Sequence, residues 1–367
     1  MNPQERFQRM VGERIRFARD QVGLTQQQLS DRLGFKDRQI LANIEGGKRK
    51  VAADELVTVI GILKKPLEFF TDPFLLVGEG AFSWRADASL RTLDAFEEKS
   101  RGLIAAFREL CRQAEQGHPL AHQLRLTKRS TFEEAWAAAE TLSRAWRLGE
   151  VPAARLTESV DRQLGIAVLH VDAPAGISGA ACHLPEVNVI LINRNEHQGR
   201  RHYDLAHELF HILTWDEMPP ERVERENVRG DKKARVEYLA ENFAGALLLQ
   251  RAPLERVWQG RGETNLNDFI RKTAEQFLVS GKALYYRLKN LGWITTEDQM
   301  EVNFERMSWQ DNSEKPKLYS QQFVGMLHER LTGGWLTVRR VAQLLDCTIE
   351  DLAGVFQEYG LKPPFEL

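Results

Sequence analysis

Three cysteines in 367 residues, Cys111, Cys182 and Cys347, are too few and too scattered to staple a fold. None forms a Cys-x-x-Cys pair, so a cysteine-ligated zinc knuckle is excluded and a reducing compartment is implied. The first residues, Met1-Asn2-Pro3-Gln4-Glu5-Arg6, carry no apolar core of a leader peptide, and no hydrophobic run approaches membrane-spanning length. A soluble, cytoplasmic chain without a membrane partner is therefore expected. Excess charge is also missing: the formal net charge is −2, so any attraction to nucleic acid must be local.

It is local. From Arg6 to Lys65 there are thirteen Lys and Arg, against eight Asp and Glu from Glu5 to Glu55. Within this stretch Val11, Ile15 and Ala18 mark the inner stripe of a first helix. Thr25 with Gln28 three residues on is a capping box for a second, and Leu33-Gly34-Phe35 makes the turn. Asp37 is expected to cap a third helix that ends at Glu45 before Gly46-Gly47, and Leu56, Val59, Ile60 and Leu63 give a fourth its apolar face. Leu24-Thr25-Gln26, Leu29, Leu33-Gly34, Ile40 and Ile44-Glu45 resemble the lambda-repressor-like (XRE) helix-turn-helix domains over residues 8–70. Gly34 to Glu45 is one residue longer than usual in that family, and the extra residue is placed ahead of the third helix. Arg38 and Gln39 then head the recognition helix, where Arg pairs with guanine and Gln with adenine. Gln26, Lys48 and Arg49 are expected to hold phosphates. The competing account is a helical protein-binding module with a solvated basic face.

A second motif organises the rest. Leu205-Ala206-His207-Glu208-Leu209-Phe210-His211 contains His-Glu-x-x-His and reads as a helix, with Asn195 and Gln198 as its expected capping pair. On that helix His207 and His211 lie one turn apart and can reach one metal ion, while Glu208 is placed to act on water as a general base. A catalytic zinc needs a third protein ligand, and downstream carboxylates are the candidates. The residues from Trp215 to Ala234 alternate in charge, Glu224 among them, and are expected to form an exposed loop or lid. Glu237 and Glu241 instead share a helix with buried Leu239, Phe243 and Leu247. Both remain open as ligands, with a surface pair to Arg235 or Lys233 as the bland alternative.

Around the motif, Ile166 to Val171, Ser178 to His183 and Val187 to Asn193 read as strands. Residues from Leu103 to Ala114 and from Phe132 to Trp146 recur at helical spacing, and two further helix pairs follow Ala274 and Leu336. The expected fold is mainly α and multidomain: a helix-turn-helix bundle at 1–70, a linker and helical region at 71–150, a central α+β zincin-like domain with a small sheet at 151–260, and a helical region at 261–367.

Ile177-Ser178-Gly179, Ile190-Leu191-Ile192-Asn193, the His207–His211 motif and Glu237-x-x-Ala240-x-x-Phe243-Ala244-x-x-Leu247-Leu248 resemble the ImmA/IrrE metallopeptidases over residues 150–292. Three positions depart from the family pattern: Phe210 stands where Gly is common, Glu241 where Asn or Asp is usual, and Leu249-Gln250 in place of Met-Pro. The resemblance implies a zinc endopeptidase, with manganese as the alternative metal, cutting a helix-turn-helix repressor in a stress, DNA-damage or mobile-element response. It puts Glu237 in the ligand slot and leaves Glu241 to accept a hydrogen bond from a ligand histidine. Tyr203 and His183 are candidate oxyanion helpers, with structural roles as their alternative. Partners are DNA through residues 1–70 and a protein substrate, with homodimerisation left open. The alternative function is a DNA-binding regulator or antitoxin whose metal site is structural or sensory.

Overall fold

The computed structural model describes residues 2–114, 123–163, 166–225 and 234–366. Among them lie seventeen α-helices, one 3₁₀ turn and five strands, so the chain is mainly helical with one small sheet. Its Cα atoms cluster into two compact units, Met1–Gly80 with Glu98–Gln113, and Ala81–Glu97 with Ala114–Leu367. No helix among the described residues is long and apolar enough to cross a membrane.

The N-terminal unit opens with α1 (Pro3–Gln21), α2 (Gln26–Arg32), α3 (Arg38–Glu45), α4 (Ala53–Leu63) and α5 (Leu67–Thr71). The local signals carry through. Thr25 accepts from the Gln28 amide and Gln28 reaches back, Asp37 accepts from the Gln39 amide, and Gly46-Gly47 ends α3 with Gly47 at positive φ. Ile15, Ala18, Leu29, Leu41, Ile44, Val59, Leu63 and Phe70 form the core. Gly12 lets α1 cross the end of α3: a Cβ there would lie 2.0 Å from the Ile44 carbonyl oxygen. Beneath α5, buried Arg14 donates to the Phe69, Asp72 and Leu75 carbonyls, which holds the chain after that helix in place.

The second unit begins with a strand that local reading does not reveal, β1 (Ala81–Ala86), followed by the start of α6 (Leu90–Gln113). Then come α7 (Phe132–Ala145), α8 (Leu156–Gln163), β2 (Ile166–Val171), β3 (Ile177–His183), β4 (Asn188–Asn193), α9 (Gln198–Thr214), β5 (Val223–Glu224) and α10 (Arg235–Leu248). The strand order is β2-β4-β3-β1-β5. Strand β4 runs parallel to β2 and antiparallel to β3, β3 pairs antiparallel with β1 through Phe82 and Cys182, and β5 lies parallel along the outer edge of β1. All six residues of β4 are buried, as expected of a strand covered on both faces.

Helix α9 packs on β3 and β4 and against α10, which packs in turn on α7. Every residue from Asp204 to Thr214 is buried, so α9 is a core helix with its polar side chains turned inward. The rings of Phe210 and Phe243 meet at 5.4 Å between the two helices. The expected cap at Asn195 is corrected: strand β4 ends at Asn193, whose side chain accepts from the Asn195 amide, and this turn delays the helix to Gln198. The cap is His197. Its Nδ1 accepts from the Gly199 amide and its Nε2 reaches the Trp309 carbonyl at 3.0 Å, which selects the neutral Nε2–H tautomer.

Helices α11 (Arg251–Gln259), α12 (Leu266–Gln276), α13 (Gly281–Asn290), α14 (Thr296–Met300), α15 (Gln321–Thr332), α16 (Val338–Leu345) and α17 (Ile349–Glu358) complete the chain. Their connections brace the start of α9. Asp311 accepts from the Gln198 amide, and Trp309 Nε1 donates to the Val279 carbonyl at 2.7 Å.

Candidate metal centre

Helix α9 presents His207 and His211 on one face, with their Nε2 atoms 3.1 Å apart. Helix α10 brings Glu237 Oε2 to 3.3 Å from His207 Nε2 and 3.4 Å from His211 Nε2. From the sheet edge, β5 adds Glu224, whose Oε2 is 2.9 Å from His207 Nε2. All four residues are buried, and one donor atom from each lies within 4.8 Å of the others. Zinc bonds of about 2.0–2.1 Å in a tetrahedron put neighbouring donors roughly 3.3–3.4 Å apart, so the set has the size and chemistry of a zinc site. A buried polar atom agrees: Glu237 Oε2, which faces both imidazole Nε2 atoms, has no hydrogen-bond partner. Burying a carboxylate oxygen without an internal partner is costly, and a cation at the point where the Nε2 atoms converge would offset that cost.

Electrostatics follow the same geometry. Burial disfavours charge on Glu224 and Glu237, yet the two imidazoles, and Arg85 beside Glu224, hold both carboxyls below the ordinary range, Glu237 at about 2. Burial also works against a charged His207, but the Glu224 and Glu237 carboxylates raise its pKa above the usual value. Two carboxylates held in the ionised form around two imidazole nitrogens are matched to a divalent cation, which would displace the proton that His207 otherwise tends to hold.

Glu208 sits one residue from His207, turned toward β3. Its Cγ would lie 3.9 Å from a Cβ added at Gly179, where the strand leaves it room, and its Oε2 has no hydrogen-bond partner. Burial pushes its carboxyl up to about 8, against the pull of His207 and Arg85.

The structure therefore brings together His207, Glu208, His211 and Glu237 and adds two residues that local reading missed. Glu224 corrects the expectation of an exposed loop after Trp215: it is 6 % exposed, and Met218 in the same stretch is fully buried. Residues 226–233 of that stretch lie outside the described residues. Arg85 is buried beside Asp204 (Nε to Oδ1, 3.1 Å), 3.7 Å from Glu224 and over the Tyr203 ring. The only sequence signal for it was the alternation of Phe82-Ser83-Trp84-Arg85, which is a strand pattern too short to stand alone.

The hydrogen bond expected from a ligand histidine to Glu241 is not formed, since neither Nδ1 has a partner. Four residues beyond Glu237, Glu241 is displaced about 6 Å along α10. Its backbone carbonyl instead accepts from the Tyr203 hydroxyl at 3.4 Å. Tyr203 stands one turn before His207, with ring centroids 6.5 Å apart, and burial keeps its phenol protonated. His183 bonds Asn188 Oδ1 at 2.7 Å and stacks on Trp215, and it is not one of the four donors.

In the N-terminal unit Arg38, Gln39 and Lys48 are exposed, Gln39 with its amide on Asn43. Gln26 and Arg49 are engaged internally. Gln26 Nε2 donates to buried Glu45, and Arg49 makes a two-pronged pair with Glu55 at 2.8 and 3.0 Å. A phosphate contact from either would have to exchange those bonds.

Comparison with known families finds a match in each of the two regions. Residues 161–289 match the model of the IrrE N-terminal-like domain, a peptidase M78 family, and residues 12–70 match a helix-turn-helix domain. The chain joins a helix-turn-helix domain to an IrrE-like M78 peptidase domain. The M78 match spans all four donors and Glu208. A search of curated proteins returns no match.

Proposed function

We propose that this chain is a zinc-dependent endopeptidase with its own DNA-binding domain, cutting a helix-turn-helix repressor in a stress, DNA-damage or mobile-element response. The observation that carries the reading is the convergence of His207, His211 and Glu237 at 3.1–3.4 Å beside the buried carboxyl of Glu208. His207, His211 and Glu237 would hold the ion, with zinc favoured by the imidazole donors and manganese as the alternative. When bound, zinc supplies Lewis acidity toward a peptide carbonyl and lowers the pKa of water.

The remaining work falls to the chain. Glu208, whose carboxyl a nearby dication would favour in its ionised form against the effect of burial, takes the proton of the attacking water and returns it to the departing amine. Tyr203, kept protonated by burial, is the donor proposed for the developing oxyanion, and His183 serves the strand end instead. Residues 1–70 bind DNA through Arg38, Gln39 and Lys48. Residues 151–260 hold the chemistry, and 71–150 and 261–367 act mainly as scaffold. The protein works in the cytoplasm.

Incubating the purified, zinc-loaded chain with helix-turn-helix repressors, with and without DNA, tests this. Defined fragments are expected from the native chain and at most a small residue of them from Glu208→Gln. No fragments under any of these conditions would remove the peptidase reading. A second reading, a DNA-binding regulator with a structural or sensory metal, draws support from Glu224, because a fourth protein donor is the mark of closed sites.

A further inference from the structure

A catalytic zinc site keeps three protein donors and one open position, whereas four are assembled here. The fourth differs from the others in how it is held. His207, His211 and Glu237 project from long core helices, but Glu224 comes from a two-residue strand at the outermost edge of the sheet. That strand pairs with β1 at Trp84–Val223 and Arg85–Glu224, and the Trp84 amide donates to the Arg222 carbonyl at 2.8 Å. Arg222 fastens it further, with Nε 3.1 Å from Glu97 Oε2 and a second nitrogen on Asp94.

We propose that Arg222–Glu224 is an internal stand-in for a substrate strand. It occupies the edge of β1 while Glu224 closes the donor set, so a peptide that adds to β1 must displace both. An extended peptide adding to a sheet edge gains main-chain hydrogen bonds, and a strand of two residues has few of its own to lose. Arg85, 3.7 Å from Glu224, is also held by Asp204 at 3.1 Å, so this buried cation keeps a carboxylate partner when Glu224 leaves. Glu224 and the closed peptidase reading are thereby reconciled: the resting site is shut, and binding opens it. The displacement by peptide rests on the peptidase function proposed above, whereas the closed donor set does not.

The test reads the donor set without cleavage. The full chain is loaded with cobalt(II) and titrated with acetohydroxamate, a small metal-binding anion, while the visible spectrum is followed. Glu224→Ala should bind the anion about tenfold or more tightly than the native chain, about 1.4 kcal/mol, while keeping its cobalt, because the anion no longer has to displace a donor. Arg222→Ala, which leaves the donor in place and loosens its strand, should fall between them. Equal affinity in all three proteins overturns the proposal. So does loss of cobalt from Glu224→Ala, which would make Glu224 an indispensable ligand. Should Glu224→Ala not fold, Arg222→Ala decides, and an affinity equal to the native chain overturns the proposal. If the spectra behave as expected but no repressor is cut, the peptidase reading fails and the strand is not a substrate mimic, though the site is closed by Glu224.

Discussion

Both units of this chain bury carboxylates, and they treat them in opposite ways. In the helix-turn-helix unit Glu45 is 4 % exposed and fully partnered: Arg19 reaches it at 2.6 and 3.1 Å and Gln26 at 2.7 Å. In the second unit Glu208 and Glu237 are just as deep, yet each has an oxygen without a hydrogen-bond partner, and the nearest groups to Glu237 are two imidazoles that converge on the same point. A buried charge with its own arginine is a structural tie that locks α3 to α1 and α2. A buried charge facing other incompletely satisfied donors is a receptor for something else. Depth alone does not separate structure from function; internal satisfaction does.

The largest effect tests whether the unsatisfied cluster is chemical. Glu208→Gln should retain the metal and lower peptide cleavage by about 10²–10⁴-fold, the usual worth of a general base; metal content and fragment yield measured on the same sample check this.

A paired experiment separates the two kinds of carboxylate. Glu45→Ala leaves Arg19 with Asp20 and the Leu24 carbonyl but removes the partner of its other nitrogens and of Gln26, and should lower unfolding stability by about 1–3 kcal/mol, leaving metal content unchanged. Glu237→Gln should do the reverse, emptying the site of zinc at a smaller cost to the metal-free fold. Equal losses of stability in the chelated proteins would dissolve the distinction. Chelation by itself should lower the native chain's stability by about 2.7–4.1 kcal/mol if it was loaded at 100 to 1,000 times Kd. Glu237→Gln should not respond to the chelator.

On the N-terminal side, Arg38→Ala and Gln39→Ala should each cost about 1–3 kcal/mol at the base they read, measured by binding to randomised operators. Lys48→Ala should weaken all sequences alike and flatten the salt dependence by a slope of about 1. Gln26→Ala should act through stability, because its amide serves Glu45. A change of sequence preference in Gln26→Ala without loss of stability would contradict the structural assignment.

The smallest effect is one of sign. The raised pKa of His207 means that the metal-free protein gains stability from its protonation at pH below about 6.5 and loses that contribution as pH rises through the folded value. Metal binding requires neutral imidazole, so the loaded protein should lose metal as pH falls over the same window. Thermal unfolding with and without chelator, from pH 5 to 8, should show opposite slopes. Parallel slopes would mean that His207 does not hold the ion.

Where signals are local, sequence reading succeeds. The caps at Thr25 and Asp37, the stop at Gly46 and the strands expected from 166, 178 and 187 depend on neighbours a few residues away, and each appears in the fold, the strand starts within one residue. The pairing of His207 with His211 depends only on the helical period. The asparagine cap at 195 failed through a competing local effect, the side-chain turn made by Asn193.

What sequence by itself determined was thus the two modules and the grouping of His207, Glu208 and His211 at the candidate metal centre, because helical periodicity and capping are short-range physics. What only tertiary structure decided was the outer half of that centre. Strand β1 lies far from its partner β3 in the chain, and Arg85 comes with it. Glu224 stands in a run of charges that looks hydrated, yet it is carried inward because β5 pairs with the edge of β1 and two imidazoles and a guanidinium await its carboxylate. Long-range strand pairing and the mutual neutralisation of buried charges leave no periodic trace along the chain, so the fourth donor becomes visible only when the sheet is assembled.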